Sequence, residues 1–211
     1  MRLVESGLRD ALADAWERWG RRCTELTVAQ WHTPTRCQPW DVQALVAHVC
    51  PENTTFEHIA AGRADGPPEV SDAAELLRIF NQPDGVAHST ADRIAEQAVT
   101  QAPALTATDA AARFGEAAAR LRRMPEMTRA ADVVIDYPVV GSTTLAVVAE
   151  VALLEATVHL LDLADAVGGV APSPAALAAT RDLLIAVPDP AAAVEVLAGR
   201  AAPQAAVPAI R

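Results

Sequence analysis

The sequence predicts an all-α protein, a four-helix bundle followed by a short C-terminal helical extension. Three observations lead there. Apolar residues recur at helical spacing through several long segments. Aromatic residues are only 4% of the chain while alanine is abundant, which favours close-packed helices over sheet. Residues 143–169, TTLAVVAEVALLEATVHLLDLADAVGG, read as one long helix whose apolar surface is interrupted by Glu155 and His159.

From the N-terminus, Leu8, Leu12, Ala15 or Trp16, Trp19, Cys23 and Leu26 share one helical face and arginines and acids share the other. This predicts an amphipathic helix over about 3–28, with Trp16 and Trp19 as core residues. Residues 30–39, QWHTPTRCQP, read as a loop because two prolines stop helix propagation. Asp41 caps a second helix through VQALVAHV, with His48 set among Leu45, Val46 and Val49. Pro51 should kink that helix, which is expected to continue through ENTTFEHIAAG to Gly62.

A linker or lid over 62–72 leads to a short helix at 73–80, and NQPDG at 81–85 supplies turn chemistry. Residues 86–101 read as a third bundle helix. Thr106 or Thr108 caps a fourth, whose terminal arginines face the negative end of its dipole. Residues 131–141, ADVVIDYPVVG, are the one convincing extended stretch, expected as a loop crossing one end of the bundle. After the long helix, Ser173 and Pro174 begin a helix through Val187, and Asp189 and Pro190 begin another ending near Gly199. The organisation expected is a bundle over 1–168 and a helical extension with a tail over 169–211.

The charge balance excludes several functions. The 17 basic residues, all arginine, face 27 acids for a net charge of −10. A net-acidic surface repels phosphate backbones, so nucleic acid is not an expected partner. The first residues carry acids through their apolar pattern, unlike a secretory signal, and no segment has the apolar length of a membrane span. Cys23, Cys37 and Cys50 form no close metal-binding pair, which fits a reducing cytoplasm.

Glu155 and His159, four residues apart, lie within about 40° on one helical face. A carboxylate among Leu154, Val158 and Leu161 needs a charged partner, and a divalent metal inside the bundle would be one. The plainer alternative is a buried pair that merely hydrogen bonds. For His32, His58 and His88 the plain alternative is a surface or loop position. Glu52 and His58 would approach the pocket only if the Pro51 region bends.

Two segments carry a family resemblance. PTRCQPWDVQALVAH and LLEATVHLLDLADAVG resemble the paired signatures of the mycothiol-dependent maleylpyruvate isomerase N-terminal domain family, one of the DinB/YfiT-like metal-binding four-helix bundles. The resemblance spans about residues 5–168. It implies a divalent metal, commonly zinc, held by His48, Glu155 and His159, with Asp162 orienting a ligand or bracing a helix. Two imidazoles and a carboxylate leave a fourth position for water, thiol or substrate, as catalytic zinc requires.

The resemblance implies a metal-dependent, thiol-using enzyme, a mycothiol-type transferase or isomerase acting on a small electrophilic metabolite. The alternatives are a noncatalytic metal-containing small-molecule binding protein and, more weakly, a scaffold with a closed structural metal. A cytoplasmic monomer or homodimer is expected. The characterised isomerase carries a larger C-terminal α/β domain, and Ala152 stands where the family often has arginine. Maleylpyruvate itself is therefore not the expected substrate. An arginine for a substrate carboxylate would come from Arg36, Arg63, Arg93, Arg113, Arg120, Arg122 or Arg123. No cysteine sits in a nucleophile–base motif, so the reactive sulfur should belong to a cofactor, with Cys37 the one competing candidate. Thr35–Trp40 and the 131–141 crossover are the expected rim, Trp40 packing the start of the second helix.

Overall fold

The computed structural model describes residues 5–210 and is all-α apart from one two-stranded hairpin. Helix α1 (Glu5–Glu25) buries Leu8, Leu12, Trp16, Trp19 and Cys23 along one face. Its expected start near residue 3 lies outside the described residues. It stops at Glu25 because Thr27 opens a separate turn, α2 (Val28–Trp31), through a capping box with Gln30. Part of the expected 30–39 loop is thus helical.

Helix α3 (Val42–Val49) is capped by Asp41, whose carboxylate accepts from the Ala44 N–H at 2.9 Å. It does not run on to Gly62. Cys50 is extended, with φ −63° and ψ 122°, the conformation a following proline imposes. Helix α4 (Thr55–Ala61) is therefore separate. Helix α5 (Ala73–Phe80) starts at an Asp72 cap. The expected third bundle helix is divided at Thr90 into α6 (Val86–Ser89) and α7 (Ala91–Gln101). Helix α8 (Ala107–Arg123) takes Thr106 as its cap.

The extended stretch forms more than a crossing loop. Strands β1 (Val134–Tyr137) and β2 (Gly141–Thr144) pair antiparallel, with Val134 opposite Thr144 and Tyr137 opposite Gly141. Thr143 is thereby in a strand, and Thr144 caps α9 (Leu145–Val167). The last two helices, α10 (Pro174–Ala186) and α11 (Pro190–Leu197), begin at the expected Ser173 and Asp189 caps.

Helix α1 lies along α8 and α9, α3 packs between α7 and α9, and α10 covers another side of α9. A glycine eases the close approach of α1 to α8, since a Cβ on Gly20 would sit 3.2 Å from the Ala111 carbonyl oxygen, tighter than an ordinary contact. Trp19, fully buried, stacks on Phe114 at 5.6 Å and donates its indole N–H to the Ala156 carbonyl at 2.9 Å. That side chain joins α1, α8 and α9. Leu153, Leu160 and Leu163 face the same core, each stabilising by about 1.5–3 kcal/mol when fully buried.

Buried Arg22 closes the far end of α9. Its guanidinium donates to the carbonyls of Gly168 at 3.0 Å and Val167 at 3.1 Å, where the helix has no further N–H groups to offer. These contacts fix α9, and through it the side chains that α9 presents to α3.

Candidate metal centre

His48 stands in the last turn of α3 and faces the middle of α9. Its Nε2 lies 3.6 Å from Glu155 Oε2, and the same oxygen lies 3.4 Å from His159 Nε2. The two imidazole rings meet edge to face, 5.1 Å apart. One donor atom from each of the three residues falls within 4.8 Å of the others. Donors at tetrahedral zinc distances are separated by about 3.3 Å, so the spacing fits a small divalent ion. The fit is one of donor chemistry as well as distance, since imidazole and carboxylate suit that class of metal.

The three donors are unequally enclosed. Side-chain exposure is 15% for His159 and 24% for His48, but 42% for Glu155, so the grouping opens to solvent on the carboxylate side. Burial pushes the Glu155 carboxyl up, yet the imidazoles beside it, His159 first and then His48, outweigh it and hold the group at about 2. For His159, burial works against the charged form, while Asp162 and Glu155 raise it to about 9. The buried phenol of Tyr137 is pushed up by desolvation and then by Glu155, which places the β1 end within the field of the site.

Behind His159 stands a second layer. Asp162 Oδ2 is 2.8 Å from His159 Nδ1, Arg36 Nε donates to Asp162 Oδ1 at 2.6 Å, and the Cys37 thiol donates to Oδ2 at 3.1 Å. Burial raises the Asp162 carboxyl, but its partners His159, Cys37 and Arg36 hold it at about 2. An ionised carboxylate there selects the His159 tautomer that carries its proton on Nδ1 and leaves Nε2 free to ligate. Cys37, His159 and Asp162 also form a close donor group of their own. Arg36 already occupies Asp162, which disfavours a second cation at that place.

The 35–40 loop supplies this layer because Thr35 ties it shut. The Thr35 hydroxyl donates to the Trp40 carbonyl at 2.8 Å and accepts from the Cys37 N–H at 3.1 Å. Trp40 then packs its indole 4.7 Å from the His48 ring and 6.0 Å from the His159 ring, and donates to the Ala95 carbonyl on α7. It walls both histidines as well as packing the start of α3.

The remaining candidates lie elsewhere. His32 pairs with Asp41 at 3.5 Å, and His58 and His88 sit on α4 and α6 outside the donor grouping. Glu52 also stays outside, because the chain leaves the helix at Cys50 instead of bending through it. Arg63, Arg120 and Arg122 are engaged with Glu126, Glu57 and Glu17. Of the seven candidate arginines, Arg36 is the one bonded into this site among the described residues. Its position three residues after Thr33 carried no periodic signal, so only the closed loop reveals it.

The family profile for the mycothiol maleylpyruvate isomerase N-terminal domain matches residues 12–164. The chain belongs to this family. The match takes in α3, the 35–40 loop and α9 as far as Ala164, so every side chain of the site lies inside the mycothiol maleylpyruvate isomerase N-terminal domain region. Helices α10 and α11 follow it. The helical architecture agrees with the DinB-like bundle expected of the family. No curated protein and no solved structure shows significant similarity to the chain. Among the described residues, no helix is long and apolar enough to cross a membrane.

Proposed function

We propose that this protein is a metal-dependent, thiol-using enzyme, a mycothiol-type transferase or isomerase acting on a small electrophilic metabolite. The observation that carries the reading is the convergence of His48, Glu155 and His159 on one point with the Glu155 side open. A divalent ion, zinc by the donor set, would supply there a Lewis-acidic position that lowers the pKa of a thiol. The chain's own residues do the rest. Asp162 holds the proton on His159 Nδ1, Arg36 keeps Asp162 ionised, and Trp40 fixes both rings and excludes water from their backs.

A cofactor thiol fits better than a protein nucleophile. Burial and the Asp162 carboxylate push the Cys37 thiol up to about 12, so it is a neutral hydrogen-bond donor rather than a thiolate. Cys23 and Cys50 are buried. Neither donor segment carries two histidines with a glutamate between them, the pattern in which hydrolytic zinc sites hold their base. Within this reading residues 1–168 form the metal-binding unit and 169–211 a helical extension, and the enzyme works on small molecules in the cytoplasm.

The test is to reconstitute the protein with zinc, add mycothiol, and follow thiol consumption against a panel of electrophiles. Glutathione, metal-free protein and Glu155→Ala serve as controls. Turnover that needs both metal and thiol is the expected result. Efficient hydrolysis with no thiol present would overturn it, and specific thiol binding without turnover would make the protein a binding module instead.

A further inference from the structure

A cleft of ≈ 500 Å³ opens beside the centre, between α3, α7 and α8, with His48 in its wall. That volume lies within the range of small-molecule sites. Neither Glu155 nor His159 lines it, so the cleft meets the metal centre through His48 alone. Its walls combine apolar surface from Leu105 with the amides of Gln97 and Gln101, one acid, Glu52, and one guanidinium, Arg113.

Arg113 is the unusual member. The other arginines that are partly or wholly buried, Arg9, Arg18 and Arg22, each reach a carboxylate, namely Asp10, Asp14 and Glu25. Arg113 is also partly buried, yet among the described residues no carboxylate lies within ion-pair distance of it. This occurs in a chain with 27 acids for 17 arginines, where acidic partners are in surplus. A partly desolvated guanidinium on a cleft wall, with its fork of N–H donors uncommitted, is a receptor for a planar oxyanion.

We infer that this cleft binds a small monocarboxylate, its carboxylate on Arg113 and its short apolar body against Leu105. Gln97 and Gln101 offer neutral hydrogen bonds to hydroxyl or amide groups of such a ligand. Glu52, an acid on the same wall outside ion-pair distance of Arg113, repels a dianion such as phosphate more than a singly charged ligand. The inference does not depend on the metal centre, because Arg113 stands outside the donor grouping.

The test is a titration of butyrate into the full-length, isotope-labelled protein, metal-free, read from the side-chain resonances of Arg113, Gln97 and Gln101. Saturable shifts are expected, with butyramide, its uncharged analogue, producing none. Arg113→Gln should weaken butyrate by at least about tenfold, the scale of a lost charge-assisted hydrogen bond. Glu52→Gln should tighten it by about two- to fivefold, the scale of one exposed charge interaction. The inference fails if butyrate causes no saturable shift, if butyramide matches it, if phosphate binds more tightly, or if a folded Arg113→Gln protein binds as the parent does. Should Arg113→Gln not fold, the Glu52→Gln and butyramide measurements decide. Failure here leaves the metal reading intact, since zinc occupancy is measured separately.

Discussion

His159 Nδ1 lies 2.8 Å from Asp162 Oδ2, one turn further along the same helix, and Arg36 holds the other oxygen of that carboxylate from a loop far away in sequence. The two contacts make the orientation of one imidazole depend on both α9 and the loop before α3. Asp162→Asn keeps the shape and removes the charge. It should weaken zinc affinity by about 10- to 100-fold, the usual effect of losing such an outer partner. Competition against a fluorescent chelator measures this. If Asp162 only braces the helix, affinity will stay unchanged and thermal stability will fall instead.

The raised pKa of His159 fixes the direction of the pH dependence. Its folded value of about 9 exceeds the ordinary 6.5, so in the metal-free protein its contribution to stability is complete below about 6.5 and is lost as pH rises through about 9. A metal at Nε2 must displace that proton. Zinc binding at pH 7.5 should therefore release about one proton from this residue, and affinity should rise with pH toward 9. Calorimetry in two buffers of different ionisation enthalpy counts the protons. Proton-independent binding would remove His159 from the ligand set.

Ligand truncation tests the grouping itself. His159→Ala or Glu155→Ala should lower bound zinc after reconstitution to below about a tenth of an equivalent, because two donors do not hold the ion against solvent. Elemental analysis of the folded variants gives the answer. Full occupancy in either would reject that residue's role.

Cys37→Ala separates the two possible sources of sulfur. With its thiol held neutral by burial and Asp162, Cys37 should be dispensable, and thiol-dependent turnover should stay within about threefold of the parent. A loss of a hundredfold with zinc still bound would instead make Cys37 the nucleophile.

Gly169 adopts φ +75°, and a Cβ there would sit 3.1 Å from the Cζ of Arg22. Gly169→Ala should cost about 1–2 kcal/mol through the left-handed backbone and displacement of the arginine cap. Denaturant unfolding should show a lower midpoint with an unchanged slope. An unchanged midpoint would mean that Arg22 contributes little at the end of α9.

Much of the fold was legible along the chain. The caps at Asp41, Thr106, Ser173 and Asp189 are local events, each a short side chain meeting an N–H two or three residues later. Glu155 and His159 could be paired from spacing alone, because a helix turns them onto one face. His48 came from the resemblance of its segment to a family, since nothing in its own helix distinguishes it from a core histidine. The breaks at Cys50 and Thr90 and the strand at 141–144 were less legible. Proline allows either a kink or an end, and a hairpin competes with the first turn of an apolar helix.

By itself the sequence determined the helical character of the chain, its acidic charge and the face shared by Glu155 and His159. Tertiary structure decided that Arg36 and Cys37 serve Asp162, that Trp40 walls the histidines, and that Arg113 reaches the wall of a cleft without an ion pair among the described residues. Backbone hydrogen bonds and side-chain periodicity are set by residues within a few positions. Contacts such as Arg36 with Asp162, separated by 126 residues, exist only once helices have packed and a loop has closed over them.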